Sequence, residues 1–263
     1  MYKLTNHTIS KGARYCVYAK KIPSMCTVTF VPQGENAFTL TTNRDEAPGR
    51  SPQGIEREED LIFPRDTTAG GTWIAASADN RLVCMLNGAF TLHQRNPPYR
   101  LSRGVMALAF FSYKSATDFF GQFDFTNIEP FTMVVFDRGK LYDYRWDGKK
   151  QYISQLNANE RYIWSSATLY SPTVRAQREH WFREWASAGQ YHAEAIRQFH
   201  TTAGTGDPWN DVVMNRHGVV RTVSITQVIK QKHAVSMHYY DLLRSGFDTA
   251  QINLEGEKVV EST

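Results

Sequence analysis

Short runs of β-branched and aromatic residues, cut at intervals by turn residues, constrain this chain more than any other feature. The first run, Thr27–Val31, stops at Pro32 and Gly34, which predicts a strand and a turn. A second runs from Phe38 through Leu40 to Thr42. It ends in the cluster Asn43, Arg44, Asp45 and Glu46, closed by Pro48 and Gly49, and the two runs predict a hairpin. Gly70 and Gly71 lead into Thr72–Ser77, and the turn Ala78-Asp79-Asn80 returns the chain along Leu82–Leu86 to Asn87 and Gly88. That is a second hairpin. Further strands are predicted at Phe131–Phe136, Leu141–Arg145, Tyr152–Leu156 and Tyr162–Ala167, then at Val212–Asn215, Val219–Thr226 and Ala234–Tyr240.

The period changes at 101–120, where Leu101, Val105, Leu108, Ala109, Phe111 and Tyr113 recur at helical spacing behind Ser102, a suitable N-cap. One helix is predicted there. Pro172 opens another through Trp181 to Trp185, and 190–201 gives a third. No element is predicted in the polar, acidic stretch 50–66. Strictly alternating strand and helix units, the mark of parallel sheets, are absent, so the fold class is α+β with mostly antiparallel sheets. Two sheets sandwiched between helix layers fit this order best. No repeat or linker divides 25–263, which is expected to be one domain.

With 41% hydrophobic and 13% aromatic residues in 263, the chain can bury a substantial core. No run approaches the roughly 18 apolar residues of a membrane helix, and no apolar signal segment follows the first lysines. The formal charge of +4 belongs to residues 1–24. They hold Lys3, Lys11, Arg14, Lys20 and Lys21 and no acid, and removing those five leaves 25 basic against 26 acidic residues. Nucleic-acid binding therefore loses its compositional support. The leader reads as an upstream-start extension, a cleaved propeptide or, with one arginine and no amphipathic stripe, a transit peptide. Cys16, Cys26 and Cys84 form no CxxC pair, which points to a reducing, cytoplasmic setting. Oligomeric state is not legible.

Cys26 is the first candidate for chemistry because it follows Met25. Initiator methionine is removed only before a small side chain, so a chain translated from Met25 would begin at Cys26. Its thiol would then be a nucleophile and its α-amine, with a reference pKa near 7.7–8.0, a general base. The alternative is a buried strand cysteine sharing a face with Val28 and Phe30. The cluster Asn43-Arg44-Asp45-Glu46 admits a clamp, with a carboxylate fixing an ammonium and a guanidinium gripping a carboxylate or lowering a thiol pKa. It equally admits a solvated turn. Asn87 is either an oxyanion donor or a turn residue before Gly88, and Trp73, after Gly70-Gly71-Thr72, is either core or pocket wall. The eight histidines form no compact ligand set, so no metal is predicted. Haem needs no local motif and stays open as a ligand.

These residues, taken in order, resemble the NRDE proteins, also called the Transport and Golgi organisation 2 family. The resemblance rests on Met25-Cys26-Thr27, Asn43-Arg44-Asp45-Glu46, Gly70-Gly71-Thr72-Trp73, Asn87, Ser102-Arg103-Gly104, Ser165 and Ala167 before Pro172, and Arg221–Thr226. It spans about 25–245. It implies a four-layer αββα sandwich, N-terminal-nucleophile hydrolase-like and similar to cholylglycine hydrolases and penicillin V acylases, with a small-molecule amide (C–N) substrate. In those enzymes an N-terminal cysteine attacks an amide, supported by an arginine and an aspartate. Carried over, Cys26 is nucleophile and base, Arg44 the supporting cation, Asp45 or Glu46 the anchor of the amine, and Asn87 an oxyanion donor. Asn43, Glu46, Trp73 and Ser166 would face substrate. The chain departs at Ser166, where the family has asparagine, and a shorter hydroxyl there weakens a second oxyanion donor. The family's association with haem trafficking implies the rival expectation of a haem or hydrophobic-ligand binder on a retired hydrolase scaffold.

Overall fold

The computed structural model describes residues 25–255. The basic leader, and every reading of it above, lies outside the described residues. In chain order the strands and helices begin with β1 (Met25–Pro32), β2 (Phe38–Glu46), β3 (Ile55–Glu58), β4 (Leu61–Pro64), β5 (Ile74–Ser77) and β6 (Arg81–Asn87). Helices α1 (Arg103–Ala109) and α2 (Ala116–Gln122) precede β7 (Phe131–Asp137), β8 (Lys140–Trp146), β9 (Gln151–Leu156) and β10 (Tyr162–Ser165). The chain continues through α3 (Pro172–Ser187), α4 (Ala193–Thr202), β11 (Asn215–Arg216), β12 (Val220–Lys230), β13 (Ala234–Asp241) and β14 (Gly246–Asn253).

Among the described residues these strands make two antiparallel sheets. One runs β10-β1-β2-β12-β13-β14, with β11 against β12, and the other runs β3 to β9 in sequence order. Period-2 alternation explains how they stack. Cys26, Val28 and Phe30 of β1, and Phe38 and Leu40 of β2, enter one cluster with Ile74, Cys84 and Leu86 of the second sheet. Thr27 and Thr29 point the other way, toward α3 and α4, whose Phe182, Ile196 and Phe199 pack with Val31. On the far side, α1 and α2 cover the second sheet, and Phe120 stacks flat on Tyr144 at 4.5 Å. Each such ring contributes roughly 2 kcal/mol through the area it removes from water. The layers are helix, sheet, sheet, helix.

Several boundaries differ from the sequence expectation. The single helix of 101–120 is two helices, because Ser115 is extended and its hydroxyl caps α2 by accepting from the Asp118 amide. The stretch 50–66, where no element was predicted, carries β3 and β4. The run 212–215 contributes only Asn215 to a strand, and Tyr162–Ala167 stops at Ser165. β14 was not foreseen, since its exposed edge alternates weakly. Asn43–Glu46 is no solvated turn: β2 continues through all four residues, which are 0%, 4%, 0% and 2% exposed.

Candidate active site

The register of β1 and β2 sets the site. Cys26 is the direct partner of Arg44, Thr27 of Asn43, and Met25 of Asp45. Direct partners project from the same face of an antiparallel pair. Cys26 and Arg44 therefore point between the sheets, while Asn43 and Asp45 point toward the helices. The charged cluster is divided between two environments.

Between the sheets lies a cavity of about 310 Å³ to which Cys26, Arg44, Trp73 and Asn87 all contribute. Arg44 lies over the Trp73 ring at 4.0 Å and donates from Nη2 to Asp66 at 2.7 Å. Arg50 bridges the same Asp66 and, at 2.8 Å, Glu46. Glu46 thus stands behind the guanidiniums and also accepts from the Ala47 amide at 2.9 Å. Burial opposes ionisation of Asp66, but Arg44 and Arg50 outweigh it and hold the carboxyl below its ordinary value. The buried Arg44 Nε and Trp73 Nε1 have no hydrogen-bond partner among the described residues. Native proteins leave few such groups, and both belong to residues that line the cavity.

A second wall comes from the loop after β6 and from α1. Glu129 accepts from Arg95 Nε at 2.9 Å and from His93 Nε2 at 3.2 Å, and pairs with Arg103 Nη2 at 3.3 Å. Burial alone would raise this carboxyl, yet His93, Arg103 and Arg95 bring it down to about 2. Arg103 is placed by a backbone contact between glycines. The Thr72 amide donates to the Gly104 carbonyl at 3.2 Å, and a Cβ on Gly71 would lie 2.2 Å from the Gly104 carbonyl carbon. The Gly70-Gly71-Thr72-Trp73 and Ser102-Arg103-Gly104 motifs are one structural joint, not two sites.

On the helix side, Asp45 accepts from Tyr170 Oη and Thr222 Oγ1, each at 2.6 Å. A bulge in β12 between Thr222 and Ser224 directs that hydroxyl inward. Burial pushes the Asp45 carboxyl up, against the nearby Arg178 and these two hydrogen bonds. Arg178 is wholly buried, lies over Tyr170 at 3.7 Å and donates to Thr27 Oγ1 and the Asp211 carbonyl. Asn43 is structural in its contacts. Its Oδ1 meets His200 Nδ1, its Nδ2 donates to the His200 carbonyl at 2.9 Å, and His200 Nε2 meets Thr29 Oγ1 at 2.8 Å. Burial, then Arg178, depresses His200 to about 3.

Ser166 joins the two strands that carry Cys26 and Asn87. Its amide donates to the Cys26 carbonyl at 3.1 Å and its hydroxyl to the Asn87 carbonyl at 2.7 Å. A hydroxyl so engaged is a brace. Arg50, Asp66, Arg95, Tyr99 and Glu129 were missed by sequence reasoning, and Arg103 was noticed only as part of a motif. The one local signal was Arg50 four residues after Glu46. The others are brought in by topology.

The Cys26 thiol is pushed up to about 12, first by burial and then by Asp45, with Arg44 opposing. Cys84, also buried, is pushed up as well. Within a chain that continues through Met25, Cys26 has a peptide nitrogen in place of an amine.

The sequence matches the profile of the Transport and Golgi organisation 2 family over residues 25–236. No curated protein matches it significantly. Two solved structures of the conjugated bile acid hydrolase from Clostridium perfringens, a mutant and a variant, superpose with TM-scores of 0.53 and 0.54 at 10% and 9% identity. Each superposition covers 89% of this chain and 94% of the other. A Caenorhabditis elegans ortholog of N-acylethanolamine-hydrolyzing acid amidase gives 0.44 at 12% identity, over 77% of this chain and 92% of that one. At these identities the bile acid hydrolase likeness shows the fold alone, an αββα sandwich.

Proposed function

The chain belongs to the Transport and Golgi organisation 2 family, and on that premise we propose that it hydrolyses a non-peptide amide bond of a small molecule once Cys26 is the first residue. The observation that carries this reading is the pairing of Cys26 with Arg44 at the cavity and of Asp45 with the position of Met25. Removal of Met25 would leave an ammonium or amine beside a buried carboxylate.

The neutral amine takes the thiol proton, and the thiolate attacks the amide carbon to give a tetrahedral oxyanion. Asn87, at the end of β6, and the unpartnered Arg44 Nε supply donors on that side of the cavity. The intermediate collapses to a thioester as the C–N bond breaks, and the ammonium returns its proton to the leaving amine. Water, deprotonated by the same amine, then cleaves the thioester and restores the thiol. Asp45, fixed by Tyr170 and Thr222, is a positioning residue for the amine.

The cavity does not fit haem. At about 310 Å³ it lies at the lower end of ligand pockets, and its lining sets Arg44, Arg50, Arg95 and Arg103 among Trp73, Met85 and Leu101, a small and charged setting for a broad apolar macrocycle.

A chain beginning at Cys26, given an acyl nitroanilide, should release nitroaniline and show an acyl mass increment on the Cys26 peptide. Cys26→Ala should do neither. Nitroaniline release that persists in Cys26→Ala, or none from the Cys26-initiated chain over a series of acyl lengths, refutes the proposal.

A further inference from the structure

The cavity's two charged clusters differ in their balance of charge. In the cluster built on Arg44, the strand partner of Cys26, the guanidiniums of Arg44 and Arg50 face the carboxylates of Asp66 and Glu46. Two cations meet two anions, so that cluster is neutralised from within. In the other cluster, Arg95 and Arg103 share the single carboxylate of Glu129, which His93 also approaches. One positive charge is left over there, and nothing within the cluster cancels it. Burial lowers Arg103 from its ordinary value, with Glu129 opposing and Arg95 adding to the depression.

The donors are also arranged for a ligand. Arg95 is anchored to Glu129 through Nε, which leaves both of its Nη groups for another acceptor. Arg103 uses Nη1 on the Pro130 carbonyl at 3.0 Å and Nη2 on Glu129, so its plane is fixed while its remaining N–H groups face elsewhere. A planar guanidinium held this way is suited to carboxylate, sulfonate or phosphate oxygens. Tyr99 lines the same cavity, and its hydroxyl accepts from the Asn96 amide at 2.8 Å, so the hydroxyl keeps its own proton to donate.

We infer that the substrate is a small amide bearing an anionic group, which Arg95 and Arg103 bind in the cavity that Cys26 also lines. The inference rests on the hydrolase reading for the word amide, but the anion subsite itself does not depend on turnover. The cavity volume of about 310 Å³ sits at the lower end of ligand pockets, which restricts the class to compact molecules.

The test is binding to the full chain carrying Cys26→Ala, so that no turnover intervenes. N-hexanoylglycine and its neutral counterpart N-hexanoylglycinamide are titrated in parallel by ligand-observed NMR. The acid should bind at least tenfold more tightly, and its affinity should fall as sodium chloride is raised. Arg103→Gln should abolish that preference and Arg103→Lys restore part of it. Arg95→Gln, at a more exposed position, gives the same readout should Arg103→Gln fail to fold. Equal binding of the two ligands, binding of neither, or a preference that survives both glutamine variants overturns the inference. Anion preference without any hydrolysis by the Cys26-initiated chain would strike the hydrolase reading alone. Hydrolysis with no preference for the acid would strike the subsite alone.

Discussion

Cys26 and Arg44 are direct partners across β1 and β2, and Asp45, one residue on, is the partner of Met25. This one register separates the two supports of the proposed chemistry. The guanidinium shares the cavity face with the thiol, and the carboxylate stands on the helix face where the residue before Cys26 begins. Arg44 is tied to Asp66 and Glu46, so its charge is largely spent. Burial and Asp45 then outweigh it at the thiol, which stays protonated up to about pH 12. The base must come from elsewhere, and the chain's own α-amine is the group that strand geometry delivers.

Asp45→Asn keeps the size of a side chain that accepts from Tyr170 and Thr222 but removes its charge and replaces one of the two acceptor oxygens with a donor. In a chain beginning at Cys26, turnover should fall by about 100-fold, the size of a lost general-base contribution. The acidic limb of the pH–rate profile should move to lower pH, because an ammonium deprived of its carboxylate loses its proton more readily. A fall in rate with an unmoved profile would assign Asp45 a purely structural part.

Gly71→Ala should be strongly destabilising, by about 3 kcal/mol, the upper range for overpacking. The added Cβ would sit 2.2 Å from a backbone carbon of Gly104, and no side-chain rotation relieves that. Denaturant unfolding measures it. Gly49→Ala, at a position with open space around it, serves as the control and should change stability by less than about 0.5 kcal/mol. Equal midpoints for the two variants would contradict the glycine joint.

His200 gives the fold a pH dependence of known sign. Its folded value of about 3 lies below the ordinary 6.5, so between these limits the unfolded chain binds a proton that the folded one refuses. Stability therefore falls as pH drops from 6.5 toward 3, by at most about 1.4 kcal/mol per pH unit. His200→Gln should be less stable at pH 7 yet show a shallower loss over pH 6 to 4. Thermal melts at fixed ionic strength compare the two, and parallel slopes would contradict the assignment.

The hairpins were legible because Thr27–Val31 with Phe38–Thr42, and Phe131–Phe136 with Leu141–Arg145, alternate in the period of a strand and are closed by turn residues. β3 and β4 escaped because Ile55 and Leu61–Phe63 are embedded among the acids of 55–60, whose charges stay on a sheet edge. The site was only partly legible. Cys26, Arg44, Trp73 and Asn87, each picked out for its own chemistry, line one cavity, but the opposite facing of Asn43 and Asp45 depends on the cluster being strand rather than turn. Arg95, Tyr99 and Glu129 reach the cavity through a loop and through β7's approach, and no local spacing encodes that. His200 and Arg178 are invisible for the same reason: they meet Asn43 and Thr27 across more than 150 residues.

The most direct test of the account is the alkylation rate of Cys26 by iodoacetamide, followed by peptide mass, in the full chain and in a chain that begins at Cys26. A thiol at about 12 is ionised to about one part in ten thousand at pH 8, so the full chain should label slowly, at the rate of buried Cys84. The Cys26-initiated chain should label at least about 100-fold faster, with a midpoint near the α-amine value of about 8, while Cys84 remains slow. Equal, slow labelling of Cys26 in both chains would contradict the claim that its own amine is the base.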